Sequence, residues 1–419
     1  MMDFGRSDDP RVQAQLNRLG ALSLPQGRFG LETITALMER LGNPHHQLPP
    51  VFHVAGTNGK GSTCAFLRAM LEADGKRVHV TTSPHLVRYN ERIRLAGKLI
   101  EDGPLAALLE EVLDAGEDLG PSFFEVTIAA AFLAFSRTPA DACVVEVGLG
   151  GRFDATNVLE PEAVAACGIA ALGLDHERFL LAPEDGVPTE PIARIAFEKA
   201  GIAKEGVPLV VMAPDYPDEA LRSARKVGTA KGALVKELTA KQMLRFGPQD
   251  ISLHGEHQGR NAALAVAMIA AQDTIAVSDQ AIAQGLKSAK WPARMQLLSN
   301  GPLVHNRKVW LDGGHNLSAG EAIAAEFEGR DIHLILGMLD NKNPRALLDP
   351  LGEHVRTLSI VPVPDHGCHP ASAFGPEAVA RSDLEDALLN LPDDGYPVLI
   401  AGSLYLAGEA LRLNDELPV

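Results

Sequence analysis

The sequence predicts an α/β protein of two domains, each with a mostly parallel β-sheet covered by helices. At 419 residues the chain exceeds the size at which one hydrophobic core keeps growing. Short apolar, β-branched runs alternate with segments of helical periodicity, and this alternation favours parallel sheets. One helical segment stops at Pro292 and a new α/β alternation follows, so we predict domains of residues 1–290 and 291–419.

Composition narrows the range of functions. Hydrophobic residues make up 46% of the chain, which is enough for two cores, and the formal net charge is −16. Acidic residues are spread along the chain without any basic run, so long-range electrostatics disfavour nucleic acid and anionic membranes as partners. An anionic substrate would need a local positive site or metal ions. We expect small-molecule substrates and a monomer.

Cysteine placement and the first residues predict a cytoplasmic protein. The four cysteines lie far apart and form no Cys-x-x-Cys pair: Cys64, Cys143, Cys167 and Cys368. They are expected to be buried thiols in a reducing compartment. Residues 1–9 lack the apolar core of a signal peptide, and no stretch of about 18 uninterrupted apolar residues occurs.

The first segments are predicted to form a helical lead-in. Residues 10–19 and 31–41 carry helical periodicity and are separated by the turn-forming stretch 24–30. On sequence alone, an ordinary connection between two helices explains this stretch. Both segments precede the first predicted core strand, which begins at Val51.

The strongest local signal is a strand, a small-residue loop and a helix. Residues 51–63 have the sequence Val-Phe-His-Val-Ala-Gly-Thr-Asn-Gly-Lys-Gly-Ser-Thr. The glycines let backbone N–H groups face a polyphosphate, the helix N-terminus is electropositive, and Lys60 adds a mobile cation. The hydroxyl of Ser62, or that of the next residue, can reach a Mg²⁺ ion. The match to G-x-x-x-x-G-K-[ST] is imperfect, because Val54 replaces the first glycine and Gly61 follows the lysine. A glycine-rich turn without a ligand is the alternative.

Two further predicted strands end in polar residues, where ligands bind in parallel sheets. The pattern of residues 77–82 predicts a strand followed by Ser83, which a plain turn also explains. Residues 142–147 are apolar apart from Glu146. A carboxylate near the end of a buried strand is costly unless it meets a cation. An internal salt bridge would satisfy it, but with a phosphate loop in the same sheet we favour a Mg²⁺ ligand.

The next strand and helix contribute His176 and Lys199. Residues 163–172 are a predicted strand that leads into an aspartate and His176. Imidazole favours zinc or copper, so ligand preference alone does not indicate Mg²⁺ at this histidine. Residues 192–204 are a predicted helix with Lys199 in its last turn, where a lysine complements the helix dipole.

The remaining sequence has fewer strong signals. Residues 215–250 are weakly patterned, and we predict a small β-rich excursion there. Asn261 lies at the start of an apolar helix and has both a donor and an acceptor to offer. Arg294, at the domain junction, can close over a triphosphate or remain a surface charge. A later apolar strand ends in Asp312, two glycines and His315.

Several of these segments resemble one family. Gly-Thr-Asn-Gly-Lys-Gly-Ser at 56–62 resembles the variant phosphate loop of the Mur ligase superfamily, and in particular that of the folylpolyglutamate synthase and dihydrofolate synthase family. Glu-Val-Gly-Leu-Gly-Gly-Arg-Phe-Asp-Ala-Thr-Asn at 146–157 is similar to a family signature. Other segments resemble family motifs in order along nearly the whole chain: Ser-Pro-His-Leu, Asn-Glu-Arg-Ile, Glu-Lys-Ala-Gly-Ile, His-Gln-x-x-Asn-Ala-Ala, and Leu-Asp-Gly-Gly-His-Asn, the last with Gly314 as its one change.

This resemblance implies a fold and a reaction. The fold would be Mur ligase-like, with an N-terminal P-loop-type domain and a smaller, Rossmann-like C-terminal domain. The reaction would be ATP-dependent ligation of L-glutamate to the carboxylate of dihydropteroate or a reduced folate through an acyl phosphate. Its products would be dihydrofolate or folylpolyglutamate, ADP and phosphate. The implied cofactors are ATP and two Mg²⁺ ions, with Lys199 carbamylated by CO₂.

The resemblance also assigns roles to residues. The predicted ATP-binding residues are Gly59, Lys60, Gly61, Ser62, Asn261, Arg294 and Asp312. The predicted metal ligands are Ser83, Glu146, His176 and modified Lys199. The predicted catalytic residues are Lys60, Glu146, His176, Lys199 and His315. Those from the second domain would complete the nucleotide site on closure.

Three stretches are candidates for binding the pterin-bearing substrate. Adjacent phenylalanines can form one wall of a slot for a flat heterocycle, although they can equally be core residues. The candidates are Phe29, Gly30, Leu31 and Glu32; Ser122, Phe123, Phe124 and Glu125; and Phe153, Asp154 and Ala155.

Two segments depart from the family pattern. The link at 179–191 is longer than is usual in the family, which bears on the placement of Lys199 relative to His176. Residues 337–342 replace the more usual Asp-Lys-Asp element, so we transfer no role to them.

Two rival functions stay open. A cell-wall Mur ligase usually carries an additional N-terminal domain, and only residues 1–50 precede the phosphate loop strand here. A catalytically silent ATP-binding regulator is the second rival. Such a protein would be expected to lose Lys60, Glu146, Lys199 or His315, all of which are present.

Overall fold

The chain folds into two compact units. The computed structural model describes residues 5–22 and 30–418. The N-terminal unit contains Met1–Ser252 and Gln258–Lys290, and the C-terminal unit contains Leu253–His257 and Trp291–Val419. The short piece at 253–257 was not part of the predicted second domain.

Helices and strands alternate along the described residues. The α-helices are α1 (Pro10–Ala21), α2 (Glu32–Arg40), α3 (Lys60–Ala73), α4 (Asp102–Gly116), α5 (Phe123–Arg137), α6 (Glu177–Leu180), α7 (Pro191–Ala200), α8 (Asp218–Ala230), α9 (Ala240–Met243), α10 (Glu256–Ala271), α11 (Asp279–Ser288), α12 (Leu317–Glu326), α13 (Leu348–Leu351), α14 (Leu384–Leu389) and α15 (Leu404–Leu413). The β-strands are β1 (Val51–Ala55), β2 (Val78–Thr81), β3 (Ile93–Leu95), β4 (Lys98–Leu99), β5 (Ala142–Glu146), β6 (Val164–Ile169), β7 (Pro208–Val211), β8 (Leu234–Glu237), β9 (Gln296–Leu297), β10 (Val309–Leu311), β11 (Ile332–Leu336), β12 (Val355–Ile360), β13 (Ala378–Ala380) and β14 (Val398–Ala401).

The N-terminal sheet has the strand order β4-β3-β2-β5-β1-β6-β7-β8. Its strands pair in parallel from β2 to β8, and β3 and β4 add an antiparallel edge. The central strands β1, β5 and β6 are buried along their whole length, as expected for strands covered by helices on both faces. This mostly parallel sheet confirms the predicted α/β class.

Helix packing in this unit depends on a close backbone approach. A Cβ at Gly285 on α11 would lie 2.4 Å from the Met70 Cα on α3, so the two helices can meet here only because one residue lacks a side chain. In the same unit, α5 buries the run from Val126 to Phe135. Helix α3 packs against β1, the strand that leads into the phosphate loop, whereas α5 packs against β2 and β3.

The C-terminal unit has a smaller six-stranded sheet in the order β13-β12-β11-β14-β10-β9. Only β9 is antiparallel to its neighbour. Its core packs Phe327, Ile332 and Leu399 with other buried apolar side chains. His254 meets Trp310 edge-on at 5.6 Å, which is one contact that holds the 253–257 piece in this unit. In the described residues, no helix is both long enough and apolar enough to span a membrane.

One predicted element is wrong. The β-rich excursion at 215–250 instead contains helix α8, the single strand β8 and the short helix α9. The buried face of α8 consists of small residues such as Ala220, Ala224 and Gly228, so the segment contains few of the large apolar residues that make a helix easy to recognise in the sequence. β8 forms the edge of the sheet, and Leu234 on it is 53% exposed.

Candidate functional site

The candidate site lies at the carboxyl edge of the N-terminal sheet. β1 lies between β5 and β6, and β2 lies on the far side of β5. These four strands are parallel, so their carboxyl ends meet at one edge, where ligands bind in such sheets. Lys60, Glu146, Ser83 and His176 lie on the strand ends and the segments that follow them.

The loop between β1 and α3 is anchored to the segment that follows β6. The N–H groups of Thr57 and Asn58 donate to the Ala171 carbonyl at 2.8 and 3.2 Å. The Thr57 hydroxyl donates to the Gly173 carbonyl at 2.9 Å and accepts from the Gly173 N–H at 3.1 Å. Gly59 has a φ of 84°, which side-chain-bearing residues rarely adopt. The loop therefore has a fixed shape that is tied to the stretch leading into α6.

Lys60 is the first residue of α3, and its ammonium group folds back over this loop. Its Nζ donates to the carbonyls of Gly56 at 3.1 Å and Thr57 at 3.3 Å. Ser62 and Thr63, in the first turn of the helix, are buried. A cation, a helix N-terminus and a glycine loop thus meet at one place, which is an arrangement that binds nucleotide phosphates.

Asn261, one of the predicted ATP-binding residues, lies directly against the phosphate loop. A Cβ at Gly59 would lie 2.3 Å from the Asn261 Oδ1, so the loop passes close to this side chain. Its Nδ2 donates to Gln258 Oε1 at 3.0 Å, and both side chains are buried on α10. The structure therefore brings this predicted residue to the loop, although 200 residues separate the two in sequence.

Glu146 and Ser83, two predicted metal ligands, are in contact. Glu146 is the last residue of β5 and is 5% exposed. Its Oε2 accepts a hydrogen bond from the Ser83 N–H at 3.2 Å, which ties the ends of β5 and β2 together. The peptide bond between Ser83 and Pro84 is cis. The carboxylate and hydroxyl oxygens at this position suit a hard divalent cation.

Lys199 is buried on α7 near the charges of the loop. Burial, with Lys60 nearby, lowers the pKa of Lys199 to about 7, against the opposing effect of Asp175. His176 directly follows Asp175 and has a φ of 53°, in the left-handed region. Its N–H donates to Asp175 Oδ1 at 2.8 Å. The long link after His176 therefore does not remove Lys199 from the site, because Lys199 interacts electrostatically with both Lys60 and Asp175.

The donor types limit which metal site these residues can form. Among residues 5–22 and 30–418, no group of three or more histidine, cysteine, aspartate and glutamate side chains is arranged to hold a metal ion. The predicted set contains only Glu146 and His176 of those types, with Ser83 and Lys199 as the others. An unmodified lysine ammonium repels a cation, so the set fits a divalent ion best if Lys199 carries a carboxylate.

Asp312 in the C-terminal unit organises its own surroundings. Its two oxygens accept hydrogen bonds from the Met295 N–H at 2.8 Å and the Gly314 N–H at 2.7 Å. Ala293 and Met295 both have positive φ, 55° and 42°, so the turn that carries Arg294 is strained. The family resemblance predicted an ATP contact for this carboxylate. The structure adds hydrogen bonds to the backbone just before β9 and just after β10.

Arg294 and His315 are held by carbonyl groups next to Asp312. Arg294 Nη1 donates to the Ala293 carbonyl at 2.8 Å, and His315 Nδ1 lies 3.0 Å from the Gly313 carbonyl. A further backbone bond joins the Gly313 N–H to the Ala293 carbonyl at 3.0 Å. The three predicted residues of this unit therefore belong to one small network at the end of β10.

The predicted substrate residues at the start of α2 and α5 have varied surroundings. Phe29 lies outside the described residues. Gly30 and Leu31 precede α2, and the exposed carboxylate of Glu32 lies over Gly30.

Ser122 and Glu125 form a reciprocal cap at the start of α5: the Ser122 N–H donates to Glu125 Oε2 at 2.7 Å, and the Glu125 N–H donates to Ser122 Oγ at 3.2 Å. The sequence analysis did not identify this capping role, although the Ser-x-x-Glu spacing signals it.

The two phenylalanines of α5 face different neighbours. Phe123 meets Tyr89 edge-on at 5.8 Å and lies 5.3 Å from the Arg92 guanidinium. The Phe124 ring covers Gly148, where a Cβ would lie 2.5 Å from it. Phe124 therefore lies next to the loop that follows Glu146, on the candidate-site edge of the sheet.

The third predicted substrate stretch is mostly structural in its contacts. Asp154 is buried, and its carboxylate accepts from the Leu149 N–H at 2.8 Å, the Thr156 N–H at 3.0 Å and the Thr156 hydroxyl. Burial raises the pKa of Asp154, which these hydrogen bonds oppose. Ala155 is also buried, whereas Phe153 is 37% exposed. Of these three residues, Phe153 has the side chain most accessible to a ligand.

An ion network that was not predicted from the sequence lies beside Lys199. Arg152 and Arg194 both hold Glu198, the residue before Lys199, and both also reach Glu184. The i,i+4 spacing of Arg194 and Glu198 on one helix is a signal that sequence alone contains. The partnership with Glu184 has no such signal, because that residue lies in an irregular link.

Comparisons with known proteins place the chain in a family. No family model matches it. It is 35% identical to the dihydrofolate synthase/folylpolyglutamate synthase of Bacillus subtilis, over 91% of this chain and 94% of that protein. It is 33% identical to the probable bifunctional folylpolyglutamate synthase/dihydropteroate synthase of Halobacterium salinarum, over 91% of this chain, and spans 49% of the length of that relative.

A solved structure agrees with these relatives. The bifunctional folylpolyglutamate synthase/dihydrofolate synthase of Yersinia pestis, complexed with AMPPNP and Mn ion, has a TM-score of 0.81. It is 28% identical to this chain and covers 96% of it, with 97% of its own chain matched. Together with the two sheets and the phosphate loop, these matches define a two-domain fold of the Mur ligase type. The chain belongs to the folylpolyglutamate synthase and dihydrofolate synthase family.

Proposed function

We propose that this chain is an ATP-dependent carboxylate–amine ligase that joins L-glutamate to the carboxylate of dihydropteroate, reduced folates or both. The products are dihydrofolate or folylpolyglutamate, ADP and phosphate. Membership of the family supports this reaction class. The structural observation that carries the proposal is the convergence of Lys60, Glu146 and Lys199 at one sheet edge, from three separate parts of the chain.

The chemistry explains why a phosphate loop is needed. A carboxylate does not react with an amine at neutral pH, because oxide is a poor leaving group. An oxygen of the substrate carboxylate attacks the γ-phosphorus of ATP, and the bond to ADP breaks, which gives an acyl phosphate. The glutamate amine then attacks the carbonyl carbon, loses a proton and displaces phosphate. In this scheme, Lys60 and the N–H groups of residues 59–62 hold the β- and γ-phosphates.

The proposed divalent metal ions are assigned to two pairs of residues. The bound Mn ion in the Yersinia structure supports a metal-dependent reaction, and we propose Mg²⁺ for this chain, with two ions. Ser83 and Glu146 would hold the first ion, and His176 with modified Lys199 would hold the second. The metal ions supply positive charge that offsets charge developing on the transferred phosphoryl group.

We also propose that Lys199 is carbamylated. The neutral amine adds to CO₂ and releases one proton, so the nitrogen gains a carboxylate and the cation is lost. Its burial and its pKa of about 7 support this, because a large fraction of the amine is neutral near neutral pH. An anion beside Lys60 would also remove the repulsion between two ammonium groups.

The remaining assignments are proposals of the same kind. Arg294 and His315 are nucleotide-site residues, and Asp312 orients both of them through the backbone contacts described above. For the pterin-bearing substrate, Phe123, Phe124 and Phe153 are the aromatic candidates. A cytoplasmic location and a monomeric state remain predictions.

The test is glutamate-dependent ADP release from the purified chain with three acceptors: dihydropteroate, a reduced folate and a muropeptide. We expect release with at least one of the first two and none with the muropeptide. ADP release that requires the muropeptide, or none with any pteroate or folate, would overturn the proposal. Comparing dihydropteroate with the reduced folate also decides whether the chain makes dihydrofolate, extends glutamate tails, or does both.

A further inference from the structure

The irregular part of the long link between His176 and α7 is bound to other segments of the N-terminal unit through the carboxylate of Glu184. The link's first four residues after His176 form α6, and residues 181–190 have no helix or strand. Within this irregular part, Glu184 is hydrogen-bonded to two arginines from other segments. Its carboxylate accepts from Arg194 Nη2 at 2.7 Å, from Arg152 Nη1 at 2.9 Å, and also from Arg152 Nη2.

Both arginines also bind Glu198 on α7, the helix that carries Lys199. Arg152 donates to the two oxygens of Glu198, at 2.9 Å from Nη2 and 3.2 Å from Nε. Arg194 Nη2 lies 3.1 Å from Glu198 Oε1. In addition, the Arg152 N–H donates to the Glu198 carbonyl at 2.8 Å, which docks the loop after β5 on the end of α7. Two arginines and two glutamates thus form one electrically balanced cluster.

The cluster is also connected by hydrogen bonds to His176, the residue that precedes the link. Arg194 Nε donates to the Leu180 carbonyl at 3.0 Å, at the end of α6. The N–H groups of Phe179 and Leu180 donate to the His176 carbonyl at 2.9 and 3.0 Å. One guanidinium is therefore connected through a single turn of helix to His176, and through Glu198 to the backbone next to Lys199.

Burial makes this cluster sensitive to the loss of one charge. The side chains of Arg194 and Glu198 are each 6% exposed and that of Arg152 is 18% exposed, whereas Glu184 is 39% exposed. Hydrogen bonds from Arg152 and Arg194 lower the pKa of Glu184 to about 2, so it is ionised at neutral pH. Without it, the guanidinium groups of Arg152 and Arg194 would share one carboxylate, and residues 181–190 would lose their contacts with both arginines, leaving the bond from Arg194 to the Leu180 carbonyl.

We propose that Glu184 is a positioning residue, which sets the place of His176 relative to Lys199 by clamping the link onto Arg152 and Arg194. In this role Glu184 acts through the two arginines, to which its carboxylate is hydrogen-bonded. The inference deepens the proposed function, since it rests on the assignment of His176 and Lys199 to a metal site.

The first test uses the protein without metal or nucleotide. Glu184→Gln keeps the side-chain size and removes the charge, and amide hydrogen exchange of residues 177–182 reports how firmly the link is held. We expect this exchange to accelerate by about tenfold. The matched control is Glu111→Gln, which breaks a bidentate pair with Arg137 on α4 and α5, at 2.6 Å for both contacts, and should leave 177–182 unchanged. Unchanged exchange in Glu184→Gln would overturn the inference.

The second test measures Mn²⁺ binding by the paramagnetic resonance signal of the free ion. We expect Glu184→Gln to weaken Mn²⁺ binding in the presence of AMPPNP by about tenfold, with Glu184→Asp restoring most of it because the charge is kept. The KM for dihydropteroate should change by less than about twofold. A variant that binds Mn²⁺ normally, or an aspartate variant as weak as the glutamine one, would contradict a positioning role.

These readouts separate the two proposals. If the unaltered chain forms no ADP with any pteroate or folate, the proposed function fails. Hydrogen exchange and Mn²⁺ binding still decide the role of Glu184 in that case, since neither depends on turnover.

Discussion

The two units build their candidate sites in different ways. In the C-terminal unit, Arg294, Asp312 and His315 are joined by hydrogen bonds within one turn and one strand end, over short distances in sequence. In the N-terminal unit, the candidate ATP-binding and metal-binding residues come from six segments that only the folded sheet and its helices bring together. Its contacts span long stretches of chain, as between Ser83 and Glu146.

This difference indicates where each site is vulnerable. Disrupting a local network such as that of Asp312 should lower the unfolding free energy of the unit that contains it. A site assembled from distant segments keeps several charges buried, including Lys199, Glu198 and Glu146. A change at a half-buried loop residue such as Lys60 should reduce function far more than stability, because the strands and helices retain their own packing.

The largest expected effect is that of Lys60→Ala. The variant removes the cation of the phosphate loop but leaves β1 and α3 packed, so we expect turnover to fall to background, by about a thousandfold or more, with little change in unfolding temperature. The measurement is glutamate-dependent ADP release. Lys98→Ala, an exposed lysine on β4, is the control and should behave as the unaltered chain. Turnover that survives in Lys60→Ala would remove the phosphate-loop assignment.

A second prediction concerns Lys199 in the metal-free protein. With ¹³CO₂ supplied at a fixed dissolved concentration, a carbamate carbon signal should appear as pH rises through about 7, because only the neutral amine reacts. From that pKa, the neutral fraction is about tenfold larger at pH 8 than at pH 6. Carbon-13 NMR measures the signal. Lys199→Arg should lack it, and a signal that persists in this variant would assign the modification elsewhere.

Asp312→Asn tests whether the local network of the C-terminal unit contributes to the stability of that unit. The amide nitrogen of asparagine would face one of the two N–H donors, of Met295 or Gly314, so a buried hydrogen bond would be lost. We expect the C-terminal unit to lose about 1–3 kcal/mol of unfolding free energy. Both tryptophans of the chain belong to this unit, so denaturant unfolding followed by their fluorescence reports on it. Asp349→Asn, at a side chain 56% exposed, should cost much less.

The smallest expected effect is that of Ser122→Ala. Loss of the cap on α5 should cost about 1 kcal/mol of stability. If capping is the main role of this side chain, the KM for dihydropteroate should stay within about twofold of the unaltered value. A large rise in this KM without loss of stability would instead support the predicted substrate contact.

The sequence predicted well those features that have a local signal. The phosphate loop at 56–62 is defined by glycines and a lysine that have no packing reason to be adjacent, and the strand that ends in Glu146 breaks its own apolar pattern. Family resemblance then added Asn261 to the predicted ATP-binding residues, and the structure shows that this side chain lies against the loop at Gly59.

Features that depend on three-dimensional packing were not predictable in this way. Helix α8 was missed because its buried face uses alanine and glycine, so the segment is polar overall and has few large apolar residues. Asp312 accepts hydrogen bonds from two backbone N–H groups because of the turn at 293–295. Ala293 and Met295 have positive φ in this turn, which is rare for these residue types and could not be expected from the sequence. Glu184 lies in a link without periodicity, and only the folded chain shows that Arg152 and Arg194 meet it.

The most direct test of the ligase proposal follows one oxygen atom. Dihydropteroate labelled with ¹⁸O in both carboxylate oxygens is converted with ATP and L-glutamate, and the phosphate released is analysed by mass spectrometry. If the acid is activated as an acyl phosphate, each phosphate carries one ¹⁸O from the carboxylate and none from water. Unlabelled phosphate formed together with the product would contradict the account.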